Sequence, residues 1–322
     1  TSSFKPAWRS FQLAFILLNI DGIVRREDDP TWAARNEIVD LVWFPTGGGK
    51  TEAYLGIIAF CILHRRLNHK KSGGTTAIMR YTLRLLATQQ FQRATRLIIA
   101  LESISQWEGM DLGSDTINIG LYVGNDSLPN KEDDLKKEAE KWVEDKPSKI
   151  PLNRHDCPWC GAQLKWNADD KKFACTNAFC YHKGLPVLLC DEHVYKTPPT
   201  LLFGTVDKFA QIAHKVSPTK AKEDSRRLFK HEGLTPDLII QDELHLLAGP
   251  LGSAVGLFEC AIDQLCSRTI KVNSKEIIVR PKIISSTATT RNTELQIRAL
   301  YGRSVNVFPK SGVDYDDSFY AF

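Results

Sequence analysis

The chain has 322 residues, 43% hydrophobic and 25% charged, which suits one large or two modest domains of an ordinary globular protein. Its net charge of +4, from 42 basic and 38 acidic residues, argues only weakly for a polyanionic partner. No apolar run is long enough to span a bilayer: the longest, Phe11 to Ile20, is followed at once by Asp21 and Arg25.

The first residues, Thr1-Ser2-Ser3-Phe4-Lys5, show no secretory signal and no initiator Met, so an excised piece of a longer chain is expected. Ile38 to Phe44 reads as a buried strand that ends on a glycine loop, and Thr51 to Leu67 has apolar residues at helical spacing. Thr75 to Tyr81 is a second strand and Arg84 to Glu102 a long amphipathic helix, followed by a third strand at Ile117 to Val123. Asn130 to Ser148 mixes Lys, Glu and Asp densely and predicts an exposed helix. Asn153 to Glu192 carries a cysteine cluster with little sheet pattern, and Ser217 to Gly233 reads as a charged surface loop, either an ordinary linker or a mobile, autoinhibitory arm. Leu201 to Val206, Leu238 to Gln241 and Lys282 to Ser286 complete the strands. Such alternation predicts βαβ units, a mostly parallel sheet, and ligands held at the carboxyl ends of its strands.

Pro45-Thr46-Gly47-Gly48-Gly49-Lys50-Thr51 lies between a strand and a helix, where a phosphate-binding loop belongs. Glycines let the backbone wrap phosphate oxygens, and the following helix aims its N–H groups at them. Thr46, Gly47, Gly48, Gly49 and Glu52 fall in the expected ATP cradle. Lys50 would reach the β- and γ-phosphates, and the Thr51 hydroxyl would ligate Mg2+. The general pattern wants a small residue where this chain has Phe44.

Asp242 and Glu243 end the apolar run Leu238-Ile239-Ile240-Gln241. An Asp there holds Mg2+, usually through water, and a neighbouring Glu can orient and deprotonate the attacking water. His245 either couples the γ-phosphate to moving parts or merely starts a helix.

Cys157-Pro158-Trp159-Cys160-Gly161 is a zinc-knuckle sequence, with Cys175 and Cys180 as a looser second pair. Four thiolates make a closed, structural Zn2+ site, although His182 or Cys190 could replace Cys180. The other four cysteines are scattered, which fits a reducing, cytoplasmic compartment better than a disulfide framework. The segment has few apolar residues for a core of its own, so a metal would supply much of its folding energy.

With the phosphate loop and Asp242-Glu243-Leu244-His245 aligned, the chain resembles a superfamily 2 helicase. The resemblance implies a RecA-like α/β P-loop NTPase domain with a mostly parallel sheet and a small four-cysteine, zinc-ribbon-like insertion. It divides the chain into 1–130 (first part), 131–192 (charged helix and zinc-binding insertion) and 193–322 (second part). Arg9-Ser10-Phe11-Gln12 is similar to the upstream glutamine motif, which makes Gln12 the adenine reader. Tyr81-Thr82-Leu83-Arg84 through Gln89 resembles motif Ia, and Gly204-Thr205-Val206-Asp207-Lys208 motif Ib. Nucleic-acid contacts are therefore expected at Thr82, Arg84, Gln89, Thr205 and Lys208. Ser286-Thr287-Ala288-Thr289 resembles motif III, so Thr287 and Thr289 would couple hydrolysis to movement.

The wording around Trp43 to Gly56, Arg80 to Leu86, Gly204 to Ala210 and Gln241 to Leu246 is narrower, and resembles the helicase subunit of the DISARM antiphage system. The large Druantia helicase is a close alternative. The resemblance implies a bacterial DNA-dependent ATPase in antiphage defence with no membrane role. It would bind single-stranded or overhanging DNA along its backbone and work with a protein of the DrmB type. An RNA track or an ATP-gated DNA-binding switch remains open. No second RecA-like domain with its γ-phosphate arginines is legible: after motif III only one helix and a tail ending at Phe322 are expected, and slow hydrolysis at best.

Overall fold

The computed structural model describes residues 7–24, 32–44, 48–69, 72–82, 84–107, 109–212, 224–272, 274–288 and 292–310. Eight parallel strands among them form one sheet: β1 (Ile38–Trp43), β2 (Ala77–Tyr81), β3 (Ile119–Tyr122), β6 (Val187–Leu188), β7 (Leu201–Thr205), β8 (Leu238–Gln241), β11 (Lys282–Thr287) and β12 (Ser304–Phe308). Their spatial order is β12-β1-β11-β8-β2-β7-β3-β6. Two short antiparallel hairpins stand apart: β4 (Leu164–Asn167) with β5 (Lys172–Cys175), and β9 (Arg268–Val272) with β10 (Lys275–Val279).

Both faces of the sheet are covered, which is why its strands read as unbroken apolar runs. Side chains alternate along each strand. On β8, Leu238 and Ile240 enter one core with Ile57, Phe91 and Phe203, whereas Ile239 enters the other with Val255, Ile262 and Ile297. The first face carries the helices α1 (Ser10–Ile23), α2 (Lys50–Asn68) and α3 (Arg84–Trp107). The second carries α5 (Asp191–Lys196), α6 (Val206–Ala210), α7 (Gly249–Cys266) and α8 (Thr293–Tyr301); α4 (Glu132–Val143) lies between β3 and the cysteine segment in the chain. Each fully buried Ile, Leu or Phe contributes roughly 1.5–3 kcal/mol, so the two cores dominate stability. Arg80 of β2 is fully buried and pairs with the carboxylate of Glu259 on α7. This α/β/α sandwich with phosphate-loop, acidic and motif III strands side by side is the expected RecA-like arrangement.

Three local features depart from the sequence pattern. The region after motif III holds more than a helix and a tail: β12 follows α8 and pairs with β1, Val39 opposite Val305. Its alternation is weak because it is an edge strand and only half buried. The cysteine segment is not an isolated module. Its hairpin and loops share the first core through Leu164, Phe173 and Leu185, and β6 extends the main sheet beside β3. Finally, the charged stretch 217–233 is not all surface loop: its described part forms a 3-10 turn at Ser225–Leu228, and Leu228 and Phe229 are fully buried. Two apolar residues in a charged string carry no periodicity, so the anchor is invisible to pattern reading. No helix among the described residues is long and apolar enough to cross a membrane.

Candidate nucleotide site at the carboxyl edge of the sheet

Strand order brings the chemistry together. β11 lies between β1 and β8, so the ends that precede the phosphate loop, motif III and the acidic pair are neighbours. Strand register shows this directly: Trp43 lies opposite Thr287, and Ser285 opposite Gln241.

Lys50 opens α2 behind Gly49, whose φ of 92° only glycine adopts without strain. The Lys50 ammonium is buried and donates to the Phe44 carbonyl at 2.6 Å. Helix α1 braces the loop. Arg9 Nη1 donates to the Gly48 carbonyl (2.9 Å), and Gln12 Nε2 to that of Gly49 (2.8 Å). The Gln12 Oε1 accepts the Arg9 N–H at 2.8 Å. The carboxamide is therefore engaged at both ends: its Nε2 holds the glycine loop against α1, and its Oε1 caps the first turn of α1 itself. Thr51 is half-buried at the start of α2, and Glu52 pairs with Arg93 of α3. Thr46 and Gly47 lie outside the described residues, as do Thr289 and the Arg84 side chain.

Asp242 is buried and accepts from the Ser286 hydroxyl and, at 3.0 Å, from the Glu243 N–H. Burial, reinforced by the Asp242 carboxylate, holds the Tyr54 phenol well above its usual range; burial and Asp242 do the same to Tyr81. Glu243 adopts the left-handed conformation (φ 50°), which costs an L-residue roughly 1–2 kcal/mol. Burial raises its carboxyl pKa, as does Asp242; Lys50 and His245 pull it back. His245 Nδ1 lies 3.4 Å from the Glu243 carboxylate. The strained turn is held from α8: Gln296 Nε2 donates to the carbonyls of Leu244 (2.8 Å) and Leu247 (2.6 Å). Gln296→Ala removes both bonds and is expected to lower stability by about 1–2 kcal/mol in urea unfolding, whereas an unchanged midpoint would show that water replaces them fully.

The nucleic-acid candidates separate. Thr82 is half-buried and Gln89 exposed, near the carboxyl end of β2. Thr205 and Lys208 do not face solvent: both are buried, and the Lys208 ammonium is bonded to Asp191 (2.8 Å) and Asn130 (3.2 Å). On so short a helix, Lys208 turns back to the first turn of α5 rather than outward. Thr287 is also buried.

The thiols of Cys157, Cys160, Cys175 and Cys180 lie within 4.8 Å of one another, and those of Cys160 and Cys175 are 3.5 Å apart. Tetrahedral thiolates on Zn2+ at about 2.3 Å stand about 3.8 Å apart, so the cluster fits such an ion. Gly161, at φ 72°, turns the first knuckle and donates to the Cys157 carbonyl at 2.9 Å. A backbone N–H bond at Ala162 lowers the exposed Cys160 thiol to about 7, whereas burial raises Cys157, Cys175 and Cys180. His182 stands outside the cluster, with Nε2 2.7 Å from the Ser103 hydroxyl of α3, and Cys190 caps α5.

Arg9 and Ser286 open the glutamine motif and motif III, but their bonds to the Gly48 carbonyl and to Asp242 are not legible in the sequence; nothing local marks Gln296.

No family model matches the chain. The chain is 37% identical over 363 aligned positions to the DISARM protein DrmA of Bacillus paralicheniformis, an alignment that takes in 98% of it.

The chain is similar to DrmA along nearly its whole length.

It spans 32% of the length of DrmA. Solved structures similar to this DrmA-like chain include the DUF1998 helicase MrfA bound to DNA (15% identity, TM-score 0.48, 92% of this chain and 25% of that one). Another is Mss116p bound to ssRNA and AMP-PNP (12% identity, TM-score 0.46, 94% of this chain and 46% of that one).

Proposed function

We propose that this chain is the ATP-hydrolysing first half of a superfamily 2 motor that moves along DNA in bacterial antiphage defence. One observation carries the reading: Lys50, Asp242, Glu243 and His245 meet at the carboxyl edge of one parallel sheet. The similarity to the DISARM protein DrmA supports the defence setting; a cytoplasmic location and a partner of the DrmB type are part of the proposal.

In this reading the glycine loop and the α2 amino terminus receive the phosphates, and Lys50 exchanges the Phe44 carbonyl for phosphate oxygens. Thr51 and Asp242 would hold Mg2+, which neutralises the developing phosphate charge when bound. Asp242 is suited to this, since it is buried and fixed by Ser286 and the Glu243 N–H. Glu243 takes the proton of the attacking water, and His245 bears on its carboxylate. Gln12 reads adenine only from the loop it already grips, so its first role is to fix the loop's shape. Gln12→Ala is expected to weaken nucleotide binding about three- to tenfold in a fluorescent-nucleotide titration, consistent with about 1 kcal/mol per lost bond. Unaltered affinity would remove Gln12 from the site.

Thr82, Arg84 and Gln89 stay as contacts to the nucleic-acid backbone, while Thr205, at the N-cap of α6, and Lys208, which ties α6 to α5, act within the fold. Thr287 and Thr289 would transmit hydrolysis through the neighbouring Ser286 to Asp242. Strand displacement by the full-length protein on a tailed duplex separates motor from switch. ATP-dependent displacement supports the motor; ATP-dependent DNA retention without displacement favours an ATP-gated switch.

A further inference from the structure

At the other edge of the sheet, the starts of β2, β3 and β7 border a cavity of about 420 Å³. Its wall carries the cations Arg66, Lys172, Lys196 and Arg227 against one carboxylate, Asp115. The rest divides into hydrogen-bonding groups, among them Thr116, Asn118 and Thr197, and an apolar strip of Leu185, Pro186 and Val187. A space of this size falls within the range of small-ligand clefts, where a few placed polar or charged groups fix the ligand's orientation.

The two arginines differ in what holds them. Arg227 caps α5, donating to the carbonyls of Tyr195 (3.0 Å) and Lys196 (3.2 Å). Arg66 ties α2 to the segments around Asp115 and Thr200, but no carboxylate bonds it. Its neighbour Arg65, equally buried, pairs with Asp237 at 3.0 Å. Arg66 instead bonds neutral oxygens, the Asp115 carbonyl at 2.7 Å and the Thr200 hydroxyl at 3.3 Å, and its Nε has no partner among the described residues. Burial lowers its pKa, and the Asp115 and Glu102 carboxylates offset that only in part. A guanidinium kept 1% exposed on neutral acceptors costs free energy that an anion would offset. Lys172 and Lys196, both exposed at the same cavity, supply further positive charge.

We infer that this cavity binds a small phosphorylated molecule of nucleotide size, with its phosphate on Arg66, Lys172 and Lys196 and its body on Leu185, Pro186 and Val187. The site is separate from the phosphate loop: the five residues of β2 run from one edge to the other, roughly 15 Å at about 3.3 Å per residue. It would make the domain responsive to a second ligand at the end of the sheet opposite the acidic pair.

The test uses the full-length protein with Lys50→Ala, which silences the phosphate loop, and equilibrium dialysis against inorganic pyrophosphate and against AMP. Saturable binding of at least one probe is expected to persist. Adding Lys172→Glu and Lys196→Glu, both at exposed positions, should weaken it at least tenfold, and Lys137→Glu on α4 should not. Absence of saturable binding in the Lys50→Ala protein, or equal affinity in the charge-reversed variant, overturns the inference. Either result leaves the reading of the phosphate loop untouched.

Discussion

Replacing Glu243 by Gln is expected to leave nucleotide affinity within about threefold and to lower ATP turnover by about 100- to 10,000-fold, the span of a positioned general base. The substitution keeps the side chain's size and its place in the left-handed turn, which Gln296 and the Asp242 carboxylate hold from either side. What it removes is basicity. Burial and Asp242 raise the Glu243 pKa, which moves it toward the range where a base is effective at neutral pH. Asp242 stands differently: its Oδ1 accepts the Ser286 hydroxyl and the Glu243 N–H, which fix it in place. Phosphate release and fluorescent-nucleotide titration, run on one preparation, give the two readouts. Turnover within tenfold of wild type would move the base to another residue.

Metal removal should have the larger structural effect. Structural zinc contributes roughly 10–16 kcal/mol of apparent binding free energy in small zinc modules. Here the four thiols hold two knuckles whose chain also supplies Leu164, Phe173 and Leu185 to the first core, so part of the segment is secured without metal. Chelation is therefore expected to release about one Zn2+ per chain and to expose the backbone of 157–182 to hydrogen exchange, while β1, β2 and β8 keep their protection. Cys160→Ser, at the exposed corner of the cluster, should produce the same pattern. Native protein without stoichiometric zinc would refute the site, and protection unchanged on chelation would show that packing alone holds the segment.

The sheet is legible in the sequence because strands buried on both faces read as apolar runs, and the phosphate loop and acidic pair punctuate their ends. The Cys157–Cys160 knuckle is legible for a similar reason, since its spacing is short and local. What escapes depends on distance in sequence. The β12 pairing with β1 joins residues as far apart as Val39 and Val305, and its half-buried pattern carries little signal. Lys208 is expected at nucleic acid from its place in motif Ib; its burial follows from Asp191 and Asn130, which only the fold brings close. Gln12 is singled out by its motif, but its attachment to the Gly49 carbonyl is not legible. Gln296 leaves no trace at all, since its partners at Leu244 and Leu247 lie about fifty residues away.

The most direct test of the central claim is steady-state ATP hydrolysis by the full-length protein with single-stranded DNA, duplex DNA and RNA side by side. Turnover is expected to depend on Lys50 and Glu243 and to rise at least tenfold with DNA. No hydrolysis above the Lys50→Ala background with any of the three would contradict the motor reading.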